Sequence, residues 1–239
     1  VPEGTAMKRA LQLDILPQPD DTTCGPTCLH AVYRYWGDEV PLDQVIATTR
    51  RLPTGGTLGV NLANHALKRG YRATVYTYNL QVFDPTWFDP GVPDMRERIE
   101  AQLEFKKSRR LHAAARAYMR FLDHGGDLRF EDLSDALLHR YLRRSIPILT
   151  GLSATFLYRE PREIGEDNRP DDLRGEPVGH FVVLCGFDKG RHEVRIADPL
   201  ESNPVSPDRL YEVDTDRLIS AILLGSLTYD ANLLILEPR

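Results

Sequence analysis

Apolar side chains recur along the chain with two different periods, and the change from one to the other divides it. Near the amino terminus the period is helical. After the polar stretch QPDDTT, residues Cys28, Val32, Tyr35 and Trp36 fall on one face of a predicted helix opening at Cys24. Thr22 or Thr23 is placed to cap it, Pro26 is tolerated in its first turn, and Gly37 ends it. VPLDQVIATTRRL (40–52) predicts a short helix, PTGGT a turn, and LGVNLANHALKRGY (58–71) a further helix closed by Gly70. RATVYTY (72–78) then alternates like a strand.

Between Asn79 and Arg144 the texture changes. A loop rich in Pro and Asp, FDPTWFDPGVPD, leads into one long predicted helix from Met95 to Leu122, and DLSDALLHRYLRR (132–144) predicts another. This part reads as a helical insertion. Its basic run, Lys106, Lys107, Arg109, Arg110, Arg116 and Arg120, has a solvated helix face as its ordinary explanation and contact with phosphates or an acidic peptide as the other.

The last third is strand-like: IPILTGLSATFLY (146–158), GHFVVLCGF (179–187), EVRIADP (193–199) and NLLILEP (232–238), with a helix from Asp214 to about Leu224. Helices followed by strands make the chain α+β. Residues 159–177, with four arginines and seven carboxylates, cannot bury themselves and predict a mobile acidic surface loop.

Composition narrows the function. With 41% apolar and 27% charged residues in 239, the chain is an ordinary globular one, and its formal charge of −5 argues against a nucleic-acid partner. No apolar run reaches the ~18–20 residues of a bilayer-spanning helix and the amino-terminal VPEGTAMKRALQLDILPQP lacks a hydrophobic signal core, so no membrane partner and a cytoplasmic location are expected, with Met7 as the natural start or a removed signal sequence as the other reading. Cys24, Cys28 and Cys185 are too few for a disulfide scaffold and lack zinc-ligand spacing, so no metal or cofactor is expected. Nothing in the sequence speaks to oligomeric state.

A nucleophilic cysteine must lose its proton near neutral pH, where an unperturbed thiol of pKa ~8.5 is only a few per cent ionised. The unpaired N–H groups of a helix start favour the anion, and Cys24 stands where that effect is largest. Cys28, one turn later, reads as a buried small hydrophobe; a Cys24–Cys28 redox pair is the weaker alternative. Among seven histidines His180 stands out, because it begins an apolar strand where an imidazole needs a partner or a task. Its strand and the next are joined by DKGRH, which suits a three-residue hairpin with Gly190 at positive φ. That register sets His180 opposite Asp198, Val182 opposite Ile196 and Leu184 opposite Val194, and turns Cys185 away from His180. Gln18, six residues before Cys24, is near enough for its amide and the Cys24 N–H to converge on one oxyanion.

At these residues the sequence resembles the C39-type cysteine peptidases of the papain-like superfamily. The likeness lies in Q-x5-C-G-P-x-C at Gln18–Cys28, G-H-F-V-V-L at Gly179–Leu184 and A-D-P at Ala197–Pro199, in that order. It implies Cys24 as nucleophile, His180 as general base and acid, Asp198 as its orienting carboxylate and Gln18 as oxyanion donor. It also implies a papain-like fold, with an N-terminal helical part packed on a C-terminal antiparallel sheet, here one domain over 1–239 with a helical insertion at about 79–144. The expected activity is hydrolysis of a peptide or amide substrate through a thioacyl-enzyme. An acyltransferase or transpeptidase using the same intermediate, and a non-catalytic peptide-binding module, are the alternatives.

Overall fold

A computed structural model describes residues 8–52, 55–92, 94–165 and 168–239. Met7, the first two residues of the PTGGT turn, Pro93 of the Pro-rich loop and residues 166 and 167 of the acidic loop lie outside the described residues. After a short strand β1 (Lys8–Ala10), the helical period produces α1 (Cys24–Tyr35), α2 (Leu42–Thr48) and α3 (Gly59–Lys68). Gly37 and Gly70, at φ +78° and +92°, close α1 and α3 in a conformation that glycine adopts without strain. The expected side-chain cap of α1 is not made. Thr23 occupies the cap position, but its hydroxyl donates to the Asp20 carbonyl at 2.9 Å.

The alternating run becomes β2 (Arg72–Thr77). The single helix expected from Met95 to Leu122 is two, α4 (Met95–Gln102) and α5 (Arg109–Asp123). Each has its own side-chain cap: Asp94 accepts from Arg96 N at 2.7 Å and Ser108 from Leu111 N at 3.3 Å. A serine inside a helical period thus restarts the helix. A short strand, β3 (Asp127–Arg129), precedes α6 (Asp135–Leu142).

The apolar run 146–158 divides into β4 (Ile148–Ser153) and α7 (Ala154–Tyr158), because the Ser153 hydroxyl accepts from Phe156 N and turns the chain. Residues of the acidic loop form a two-stranded ribbon, β5 (Glu163–Ile164) and β6 (Arg169–Pro170), and Asn168 donates to Asp21 at 3.2 Å. Ladder bonds give this segment local structure although it buries little apolar surface. Then come β7 (Gly179–Asp188), β8 (Glu193–Ala197), β9 (Leu210–Asp214), α8 (Thr215–Leu224) and β10 (Asn232–Glu237).

The strands assemble in the order β3-β2-β10-β4-β7-β8-β9, with β1 on the far half of β7. The sheet is mixed rather than antiparallel throughout, since β3 runs parallel to β2. It is also not confined to the C-terminal part: β10 lies between β2 and β4 and joins the two halves of the chain. Strand β4 is buried along its whole length and β7 over all but its two end residues, which explains their unbroken apolar sequences.

The hairpin register differs from the expected one. Val183 pairs with Ala197 and Leu184 with Ile196; a bulge follows at Cys185, after which Phe187 pairs with Val194 and Asp188 with Glu193. The turn takes in Lys189 to His192, and His192, not Gly190, holds the positive φ of 56°. The Asp188 carboxylate accepts from Gly190 N and Arg191 N and so selects this longer turn. Against the expected pairs, β8 is displaced by two residues beside Leu184, which keeps each side chain on its face. Asp198 therefore remains on the His180 side, diagonal to it instead of opposite. Among the described residues no helix is long and apolar enough to cross a membrane.

Candidate active site

Close packing at the start of α1 builds the site. Cys24 is the first residue of the helix, Gly25 the second, and Pro26 has no N–H, so the donors that this uncapped end leaves without an intrahelical acceptor belong to Cys24 and Gly25. A Cβ on Gly25 would meet the Thr57 methyl at 2.7 Å and the Phe181 ring at 3.2 Å. Only glycine lets the helix approach β7 this closely. One turn on, the Cys28 thiol donates to the Phe181 carbonyl at 3.2 Å and fastens α1 to the strand that carries His180.

His180 is 6% exposed and its Nε2 lies 2.8 Å from Asp198 Oδ1. The Cys24 thiol is near enough to the ring to act on its charge. With Nε2 engaged by the carboxylate, the nitrogen left for the sulfur is Nδ1. Burial pushes the imidazole down, but the charge and hydrogen bond of Asp198, and then Cys24, outweigh it and hold His180 well above the ordinary imidazole range.

Asp198 is fully buried and fully partnered. Its Oδ1 accepts from His180 and from Leu200 N at 2.9 Å; its Oδ2 accepts from the hydroxyls of Tyr158 (2.6 Å) and Tyr211 (2.7 Å) and from Asn203 Nδ2 (2.8 Å). Burial alone would raise this carboxyl, yet His180 and the donated hydrogen bonds keep it below the usual range. Tyr158, Tyr211 and Asn203 are absent from the sequence-derived site. The signal available was physical: a buried carboxylate needs donors, and Tyr211 alternates with Val213 on a strand whose apolar face turns inward.

Gln18 reaches the same cleft as His180, and its backbone N–H donates to Pro199 O at 2.9 Å. Its amide Nε2 donates to Asp20 O at 3.0 Å, while Oε1 is buried without a partner. The cleft beside His180 holds about 220 Å³ and carries the carboxylates of Asp21, Glu160 and Glu163, with no Lys or Arg among the described residues of its lining. Cys28 and Cys185 are both fully buried, and burial pushes both thiols up, Cys185 to about 12. Cys24 and Cys28 are both free thiols.

The family described as Peptidase_C39 like family matches residues 10–214. A solved structure of a Bacillus anthracis protein assigned as a C39-like peptidase superposes with a TM-score of 0.54 at 15% identity, covering 98% of each chain. The peptidase domain of Streptococcus ComA, a bifunctional ABC transporter involved in quorum sensing, gives 0.47 at 14% identity over 95% of this chain and 100% of its own. Xylellain, a cysteine protease from Xylella fastidiosa, gives 0.48 at 14% identity, over 98% and 87%. The comparison with curated proteins yields no match.

Proposed function

Since the chain belongs to the Peptidase_C39 like family, we propose that it is a cysteine peptidase or amidohydrolase in which Cys24, His180 and Asp198 act in sequence and Gln18 helps bind the oxyanion. The observation that carries this reading is the His180 ring held by a buried, five-times hydrogen-bonded Asp198, with the Cys24 thiol acting on the same ring. The carboxylate fixes the ring by Nε2 and stabilises the imidazolium. Nδ1 holds the proton given up by the thiol, so that an imidazolium stands beside the thiolate, and the sulfur attacks the substrate carbonyl carbon. The oxyanion lies against the Cys24 N–H and the second hydrogen of Gln18 Nε2. His180 then gives its proton to the departing amine, the C–N bond breaks, and a thioester joins the acyl group to Cys24. Water, deprotonated by His180, attacks the thioester, releases the acid and restores the thiol.

The test is digestion of a peptide library with mass-spectrometric detection, by the unaltered chain and by Cys24→Ala and His180→Ala. Cleavage by the first alone, with both variants folded by circular dichroism, supports the assignment. Cleavage surviving both substitutions removes it.

A further inference from the structure

A second functional surface lies on α5. Arg109, Ala113, Arg116 and Arg120 fall at i, i+4, i+7 and i+11, which makes one stripe of the helix, and that stripe faces Arg50, Arg51 and Leu52. Two hollows of about 400 and 610 Å³ share Leu52, Ala113 and Arg116 and so form one groove. Among the described residues no Asp or Glu lines either hollow. Asp20 lies in the field of Arg51, and Arg110 is turned aside to the Thr228 carbonyl and the Tyr229 ring, with Asp230 nearby. Arg50, Arg116 and Arg120 crowd one another: burial and then the charges of Arg50 and Arg116 hold Arg120 below its usual value. Repulsion among like charges gathered in a groove is relieved when an anion enters it.

Both walls of the groove are packed, residue against residue, toward Cys24 and His180. Gly55, just past Leu52, lies against Thr22, and the Thr57 methyl lies against Gly25. On the other wall Arg110 holds Thr228, whose hydroxyl lies against Gly179, the residue before His180. From Arg109 to Arg120 the helix rises about 16 Å at ~1.5 Å per residue. That exceeds a single phosphate and equals about five extended peptide residues at ~3.3 Å each. Among the described residues no Phe, Tyr or Trp lines the groove for a nucleic-acid base to stack on, and Leu52 and Ala113 give an apolar floor between the cations.

We propose that this groove is an exosite for an acidic segment of the peptide substrate, remote from the bond that is cut; the proposal rests on the peptidase reading above. The segment's carboxylates pair with Arg50, Arg116 and Arg120 while its backbone follows α5 toward Cys24.

The test uses the full chain carrying Cys24→Ala, so that nothing is turned over, and tetramethylrhodamine-labelled hexaglutamate and hexaglutamine peptides, read by fluorescence anisotropy. Hexaglutamate is expected to bind, to weaken when salt rises from about 0.15 to 0.5 M, and to bind about tenfold or more weakly to Arg116→Gln/Arg120→Gln. Hexaglutamine is expected not to bind. Arg50→Gln/Arg116→Gln serves as the second variant, and circular dichroism checks both. Unchanged hexaglutamate binding in both variants overturns the proposal, as does tighter binding of a thymidine oligonucleotide of equal charge. Alkylation is read in parallel on the unaltered chain: selective alkylation of its Cys24 without hexaglutamate binding to the variant removes the exosite and leaves the peptidase, and hexaglutamate binding with an inert Cys24 does the reverse.

Discussion

His180 Nε2 and Asp198 Oδ1 stand 2.8 Å apart with the carboxylate fully buried, and each group holds the other in its charged form. Their pKa values move in opposite directions from 6.5 and 3.8, which fixes the pH window in which the pair adds to stability. The Asp198 contribution is present above 3.8 and is lost as pH falls through the depressed value. The His180 contribution is complete below 6.5 and fades as pH climbs toward the raised one.

Asp198→Asn is therefore expected to cost most between about pH 4 and 6.5, by about 3–5 kcal/mol, since it removes one partner of a buried ion pair. Urea denaturation across the pH range measures this. A penalty independent of pH would mean that His180 is not held charged by Asp198.

Thiol chemistry separates the three cysteines. Cys28 and Cys185 are fully buried and pushed up, and at about 12 Cys185 is ionised to about one part in 10⁵ at pH 7. Cys24 keeps 9% exposure beside His180. Iodoacetamide at pH 6–7 is expected to label Cys24 at least about 100-fold faster than the other two. Peptide mapping decides, and equal labelling would favour a binding module without chemistry.

Much of this site was legible because its residues obey local rules. Cys24 follows a polar loop into an apolar helical period, and His180 interrupts an otherwise apolar strand. The pairing of His180 with Asp198 was legible for a simpler reason than the expected register: a displacement of two residues leaves faces unchanged, so the contact withstood an error in the turn. What the sequence hid are relations across long separations. Tyr158 reads as the end of a strand, and only the Ser153 cap that starts α7 brings its hydroxyl to Asp198. The break at Ser108 was hidden by the unbroken helix-forming composition on either side.

Gly25 sets how near Cys24 comes to the strand that carries His180. Gly25→Ala would place a methyl 2.7 Å from that of Thr57, and α1 must shift away from β7 or Thr57 must move. A loss of about 1–3 kcal/mol is expected from overpacking. Turnover is expected to fall further than stability explains, because the Cys24 sulfur moves with the helix. Alkylation kinetics and thermal denaturation of the same variant distinguish the two effects.

On the proposed peptidase reading, Tyr158 and Tyr211 are expected to serve as positioning residues, since both donate to Asp198. Burial, and then the Asp198 charge, keep both phenols protonated, so each remains a donor to Oδ2 over the working pH range. Tyr158→Phe or Tyr211→Phe removes a hydrogen bond to a charged acceptor, worth about 1.5–3 kcal/mol, while retaining the ring. Because donation to the carboxylate lowers Asp198, its loss raises that pKa and moves the acid limb of the activity profile to higher pH. The double variant should move the limb further than either single one, with Asn203 and Leu200 N–H left to hold the carboxylate. A packing role alone would lower stability without moving the limb, so pH–rate profiles of peptide cleavage separate positioning from filling.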